Sequence, residues 1–344
     1  MTRTMLRSVL LMTAFMASVP AALAADALPG DGKEVRLARA NWDTGWFQAA
    51  IYQRAMEALG YEIEGPVTLN NGPFFQAVSQ GDVDLWLNGW FPQHDDLLEQ
   101  FSETAETVGY VAKGGALQGY LIDKKTADEH GITNLSDLRR PEIASLFDID
   151  GNGTADMVSC EPGWVCSRII EHHLETYDLA DRVTPLRATY AAAMAQAIGR
   201  FRDGDPILFY TWTPNWTVGV LKPGQDVIWL EVPEASLPED QKKYEDLVEV
   251  DGVKGCAGDP CLIGWPANDL RPIANKAFLG ENPAVRRLLE VASVPLEDIA
   301  AQNALMQEGE DSEKDILRHA DAWVEANREV FEGWLKTARS ASGG

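Results

Sequence analysis

The apolar and polar positions of this chain switch between two spacings. Val35 to Ala40 is a short strand-like run, followed by the loop Asn41-Trp42-Asp43-Thr44. The spacing then becomes helical from about Gly45 to Leu59, with Phe47, Ile51, Ala55 and Leu59 on one face. Pro66 to Leu69 predicts a second strand and GPFFQAVSQG a short helix. In DVDLWLNGW, Val83, Leu85 and Leu87 take one face and Asp84, Trp86 and Asn88 the other, a strand running into a loop with Trp90 and His94. Strand–helix–strand units of this kind predict an α/β fold of mostly parallel sheets flanked by helices. Ligands of such sheets lie beyond the carboxyl ends of the strands, where Trp42 and Trp90 fall.

GGALQGYLIDKK, residues 114 to 125, reads as a glycine-marked crossing into a second unit. That unit contains the loop DIDGNGTAD, the motif SCEPGWVCS feeding a helix of about Ser167 to Tyr177, and a helix of about Ala188 to Arg202. DPILFYTWTPNW follows as a buried strand ending at Trp212 and Trp216, and DVIWLEV as another strand. From about Pro266 the pattern is mainly helical, and these helices are expected to pack back on the first unit. The expected division is residues 25–117 with 266–344 in one lobe and 118–265 in the other.

The amino end changes the picture of where the protein acts. Arg3 and Arg7 precede an apolar run from Val9 to about Val19, and Ala22-Leu23-Ala24 is a small-x-small cleavage site. Residues 1–24 therefore read as a secretory signal peptide, too short to be a membrane span. Their removal takes the formal charge from −24 to −26. Nucleic acid and anionic membrane surfaces would be repelled by that charge, so neither is an expected partner. About 320 mature residues with 45% apolar content suit two globular lobes, and a monomer is expected.

The four cysteines form two close pairs, Cys160 with Cys166 and Cys256 with Cys261. In an exported protein such pairs read as disulfides; three pairings exist in principle, and the local one needs only short loops. Separations of six and five fit a four-thiolate zinc site poorly. His172 and His173 are neighbours on a helix and point to different faces, while His130 and His319 are isolated and read as surface residues.

Eleven tryptophans is a high count. Trp86, Trp229, Trp323 and Trp334 lie within strand or helix patterns and read as core. Trp42, Trp90, Trp164 and Trp212 each sit just past a predicted strand or beside a Pro or Gly. Several indoles at one cleft suit a sugar stacked on their faces, or a quaternary ammonium attracted to the negative ring faces at about 0.5–2 kcal/mol per contact.

The stretches ALPGDGKEV, AMEALGY, NGWFPQHD, LQGYLIDKKTAD, FDIDGNGTAD, CEPGWVC, FYTWTPNW, PIANKAF and IAAQNALM run nearly end to end through the mature chain. In them the chain resembles the ProX-like periplasmic glycine betaine/proline betaine-binding proteins, the solute receptors of ABC importers. The resemblance implies a two-lobed periplasmic binding protein of type II with its ligand in the interlobe cleft, and a membrane permease as partner. It implies that Trp90, Trp164 and Trp212 surround a trimethylammonium group, and that His94 and the N–H groups of Val165 and Cys166 meet the ligand carboxylate. A helix N-terminus favours negative charge on physical grounds as well. Trp42 departs from the glycine betaine pattern and is similar to relatives that bind trimethylamine N-oxide in a four-tryptophan box. A cage wall and a packing residue under the first helix both remain open for it, as do both ligands.

DIDGNGTAD places Asp148, Asp150, Asn152, Thr154 and Asp156 as in the first part of a calcium-binding EF-hand loop, but the twelfth position is Ser159. A structural calcium ion and a plain glycine-rich turn are both compatible with it, and no cofactor is required. Two rivals stand beside the importer receptor. A sugar receptor would need many polar side chains beside the indoles. An exported thiol-dependent enzyme would need Cys166, at a helix start, to be free.

Overall fold

A computed structural model of the chain describes residues 27–341 except Arg187. The signal peptide expected at 1–24 lies outside the described residues. Two sheets organise the rest. The first contains β1 (Glu34–Ala40), β2 (Glu62–Leu69), β3 (Leu85–Phe91), β4 (Ala105–Thr107) and β5 (Ala112–Ala116). The second contains β6 (Gln118–Asp123), β7 (Ala155–Val158), β8 (Val183–Leu186), β9 (Leu208–Trp212) and β10 (Val227–Leu230). A ribbon of β11 (Glu249–Val250) and β12 (Cys261–Leu262) follows, and β13 (Asn268–Asn275) returns to the first sheet.

The strand orders are β2-β1-β3-β13-β4, with β5 on β13, and β10-β6-β9-β7-β8. Both sheets are mixed rather than mostly parallel. The pairs β1–β2, β1–β3, β7–β8 and β7–β9 are parallel, while every described pair made by β6 or β13 is antiparallel. The reason lies in the crossings. β6 starts opposite Trp212 at the carboxyl end of β9, and β13 starts opposite Phe91 at the carboxyl end of β3. Chain entering a sheet from the cleft must run against strands that end there.

All seven residues of β3 are buried, on both faces of its alternation; on the face of Trp86 and Asn88, Phe74 packs on Trp86 at 4.2 Å and Trp42 donates to Asn88. Helix Trp46–Ala58 packs on this sheet and against the carboxyl-terminal helices Glu313–Ala326 and Arg328–Ser340. Tyr52, on that first helix, donates to Ala292 O at 2.6 Å, and Trp323 stacks on Trp334 at 5.6 Å. Trp86, Trp229, Trp323 and Trp334 are buried, as their patterns suggest. His319 is buried rather than on the surface, because its Nε2 meets Glu310 at 2.7 Å and its ring is covered by helix Leu296–Gln307.

His173 is fully buried in the second lobe. Its Nε2–H donates to Ser236 O at 2.9 Å, so Nδ1 accepts from the Tyr120 hydroxyl at 3.0 Å. Burial lowers its pKa to about 3. The unfolded ring titrates near 6.5, so between these values only the unfolded chain takes up the proton, and stability falls as pH falls. Urea unfolding at pH 7 and pH 5 should show His173→Gln losing roughly 2 kcal/mol less than the parent over that interval. Equal losses would place the proton uptake elsewhere.

Candidate functional site

Four strand ends meet at the cleft. β1 ends at Ala40 and hands the chain to Asn41 and Trp42, then to a short turn Asp43–Gly45 that opens helix Trp46–Ala58. A Cβ at Gly45 would come within 2.9 Å of Asn88, so only glycine lets this turn lie against β3. β3 ends with Trp90 and Phe91, and the following turn folds back so that His94 N–H donates to Trp90 O at 2.7 Å. β7 ends before the Cys160 loop, and β9 ends at Trp212.

Cys160 and Cys166 are bonded, with 6.0 Å between their Cα atoms, as are Cys256 and Cys261 at 6.0 Å. Inside the first ring Gly163 has φ +93°, and a Cβ there would meet Asn70 of the opposite lobe at 2.6 Å. Trp164 is the N-cap of helix Val165–Thr176, which begins two residues earlier than its sequence pattern predicts because the ring carries Cys166 into the first turn. The N-cap offers no side-chain bond to this first turn. First-turn N–H groups have no partner within a helix, so those of Val165 and Cys166 are available as donors.

Trp42, Trp90, His94, Trp164, Val165, Cys166 and Trp212 all line one hollow. Trp42 and Trp212 stand at 74° and 81° to Trp164, with centroids 5.4 and 5.5 Å away, like adjoining walls of a box. Trp42 is thus a lining residue and also packs at 5.4 Å on Trp86. All four indole N–H groups are held by protein. Trp42 and Trp90 donate to Asn88 Oδ1 at 2.5 and 3.0 Å, Trp164 to Asn41 Oδ1 at 2.9 Å, and Trp212 to Thr44 Oγ1 at 3.1 Å. What these rings offer the hollow is carbon framework and π density.

His94 is buried among Phe75, Trp86 and Phe91 of its own lobe, which lowers its pKa to about 3 and keeps it neutral. Its Nδ1 accepts from Trp90 N–H at 3.1 Å. The ring proton therefore sits on Nε2, and the Asn71 side-chain amide, 3.1 Å away, can pair with it only through its oxygen.

Asn71, Gln93, Gln118 and Tyr210 also line the hollow and were not singled out by the sequence. Tyr210 lies two positions before Trp212 on β9, so the period of two that places one on this face places the other. Its hydroxyl donates to Gln118 Oε1 at 2.6 Å, and the Gln118 amide donates to Gln93 Oε1. The polar lining is therefore largely bonded to itself.

Asp148, Asp150 and Asp156 lie outside the hollow and bring carboxylate oxygens within 4.8 Å of one another. Much of their acceptor capacity is taken by their own loop. Asp148 accepts from the N–H groups of Gly151, Asn152 and Gly153, which holds its carboxyl below the usual range, and Asp156 accepts from Ile149 N–H at 2.7 Å. Asn152 Oδ1 accepts from the Thr154 N–H and hydroxyl at 2.8 and 2.6 Å.

The family described as the substrate binding domain of ABC-type glycine betaine transport systems matches residues 33–326. A glycine betaine/proline betaine-binding periplasmic protein of Salmonella typhimurium is 39% identical over 341 residues, 98% of this chain and 99% of that protein. Two solved structures share the fold. Lactococcal OpuAC, closed on glycine betaine, has a TM-score of 0.65 at 18% identity, covering 88% of this chain and 99% of its own. An ABC-transporter choline binding protein in complex with choline has a TM-score of 0.68 at 22% identity, covering 90% of this chain and 96% of its own. The chain belongs to the family of substrate-binding domains of ABC-type glycine betaine transport systems.

Proposed function

We propose that this protein is an exported, monomeric periplasmic receptor that closes residues 25–117 and 266–344 over residues 118–265 around a trimethylammonium osmolyte and presents it to an importer's permease. The observation that carries the reading is that one hollow brings together two kinds of group. Four indoles have their N–H groups turned to protein and offer a cation their rings. The first-turn donors of Val165 and Cys166 and the neutral ring of His94 line the same hollow. Glycine betaine carries its opposite charges at its two ends and matches both. Trimethylamine N-oxide is a second reading, favoured by Trp42 as a fourth wall. A sugar is disfavoured because Gln93, Gln118 and Tyr210 are engaged with one another. Thiol chemistry is disfavoured because Cys166 is in a disulfide. No nucleic acid and no cofactor enter the reading.

Titration calorimetry should show glycine betaine binding at least about tenfold more tightly than choline, which lacks the carboxylate, and no heat with glucose. Trp164→Ala should weaken glycine betaine about tenfold or more. Tighter binding of a neutral sugar than of any methylated amine would sink the proposal.

Because His94 is buried within its own lobe and takes up no second ring proton above about pH 3, its part in affinity should not change between pH 8 and pH 6. A Kd for glycine betaine that fell steadily as pH dropped through this interval would mean that an imidazolium, not a neutral ring, meets the carboxylate.

A further inference from the structure

The four indole N–H bonds fall into two classes. Those of Trp42 and Trp90 to Asn88 lie within the first lobe and persist whatever the lobes do. Those of Trp164 and Trp212 cross the cleft, to Asn41 and Thr44, which flank Trp42 in one loop. Thr44, Trp164 and Trp212 are only 3%, 5% and 4% exposed. Once the lobes meet, water has little access to replace these bonds.

We infer that Asn41 and Thr44 are positioning residues that latch the closed state, the first lobe holding the second lobe's two cage indoles by their N–H edges. The inference rests on reading the hollow as a cation cage. With the lobes apart, both N–H groups are hydrated; on closure each must find a buried acceptor or go unmet. Assembly of the cage and closure are then one event. The same bonds fix the rotation of both rings, so a single loop supplies one wall and orients two others.

Other contacts across the cleft are poorer candidates: the buried amides of Gln118 and Gln241 donate to Gln93, but Gln93 is itself bonded to Asn268 where the chain crosses between the lobes. Arg168 bridges Asp96 and Asp240 at 3.0 and 2.5 Å, but its side chain is 46% exposed, and ion pairs of that kind contribute little. The Asn70 amide reaches Pro162 O only at 3.4 Å.

Thr44→Val keeps the shape and removes the acceptor, whereas Thr44→Ser keeps it. Stopped-flow tryptophan fluorescence with glycine betaine should show dissociation about tenfold faster for Thr44→Val, association unchanged, and Thr44→Ser within about twofold of the parent. Asn41→Ala should speed dissociation in the same sense, and serves if Thr44→Val does not fold. In parallel, spin labels placed one on each lobe read the closed fraction with and without ligand, and Thr44→Val should lower it. Parental dissociation rates and closed fractions in both Thr44→Val and Asn41→Ala would overturn the latch. If the parent binds neither glycine betaine nor trimethylamine N-oxide, the cage reading fails. The latch is then decided by the ligand-free closed fraction alone, lowered in support or unchanged in refutation.

Discussion

An indole can serve a methylated cation only if its one polar edge is satisfied somewhere other than the ligand. A trimethylammonium group accepts no hydrogen bond, so an N–H aimed at it would be both unmet and electrostatically repelled. On the proposed reading, this constraint accounts for much of the local architecture. Asn88 answers it for two rings at once, from the face of β3 that also carries Trp86 and Trp90. Asn41 and Thr44 answer it for the two rings of the other lobe. Gly45 lets the loop that holds them lie against Asn88.

On the same reading, the donors of Val165 and Cys166 answer a complementary constraint. A carboxylate leaving water needs donors, and fixed ones make less demand on entropy than mobile side chains. The Cys160–Cys166 bond ties the start of helix Val165–Thr176 to the end of β7, so Trp164 and the two amides that follow move as a unit. Ring and donors thus keep their spacing while the lobes open and close. His94 is fixed by packing rather than by a crosslink, in a position where burial denies it a charge. A neutral donor suits this place, since a permanent cation would compete with the ligand's own cationic head for the same π-lined space.

Reading the sequence singled out the four indoles because each lies just past a predicted strand or beside a Pro or Gly. It reached both disulfides because their loops are short. The acceptors escaped it: asparagine and threonine in a loop are ordinary, and nothing local shows that Asn41 and Thr44 bond to residues more than a hundred positions away. Asn88 escaped it as well, because alternation placed it opposite Leu85 and Leu87 without showing that both faces of β3 are buried. Strand direction escaped it too, since apolar spacing does not record which way a strand runs, and the antiparallel members are the ones that leave or enter through the cleft.

Those crossings bear on how closure reaches the site. Leu117, between β5 and β6, accepts from Thr213 N–H at 2.8 Å, one residue after Trp212. Asn268, where the chain returns, accepts from Gln93 N–H at 3.2 Å, one residue before His94. Each crossing is therefore bonded beside a residue of the hollow, and a rotation about the crossings moves these residues least. Trp42 and Trp164 lie on loops without such a tie to the crossings and meet edge to face across the cleft. Their contact, with the N–H bonds beside it, is the part of the cage most dependent on the lobes having come together. On the proposed reading, a bound cation adds the most to closing there, because it fills the space between those rings.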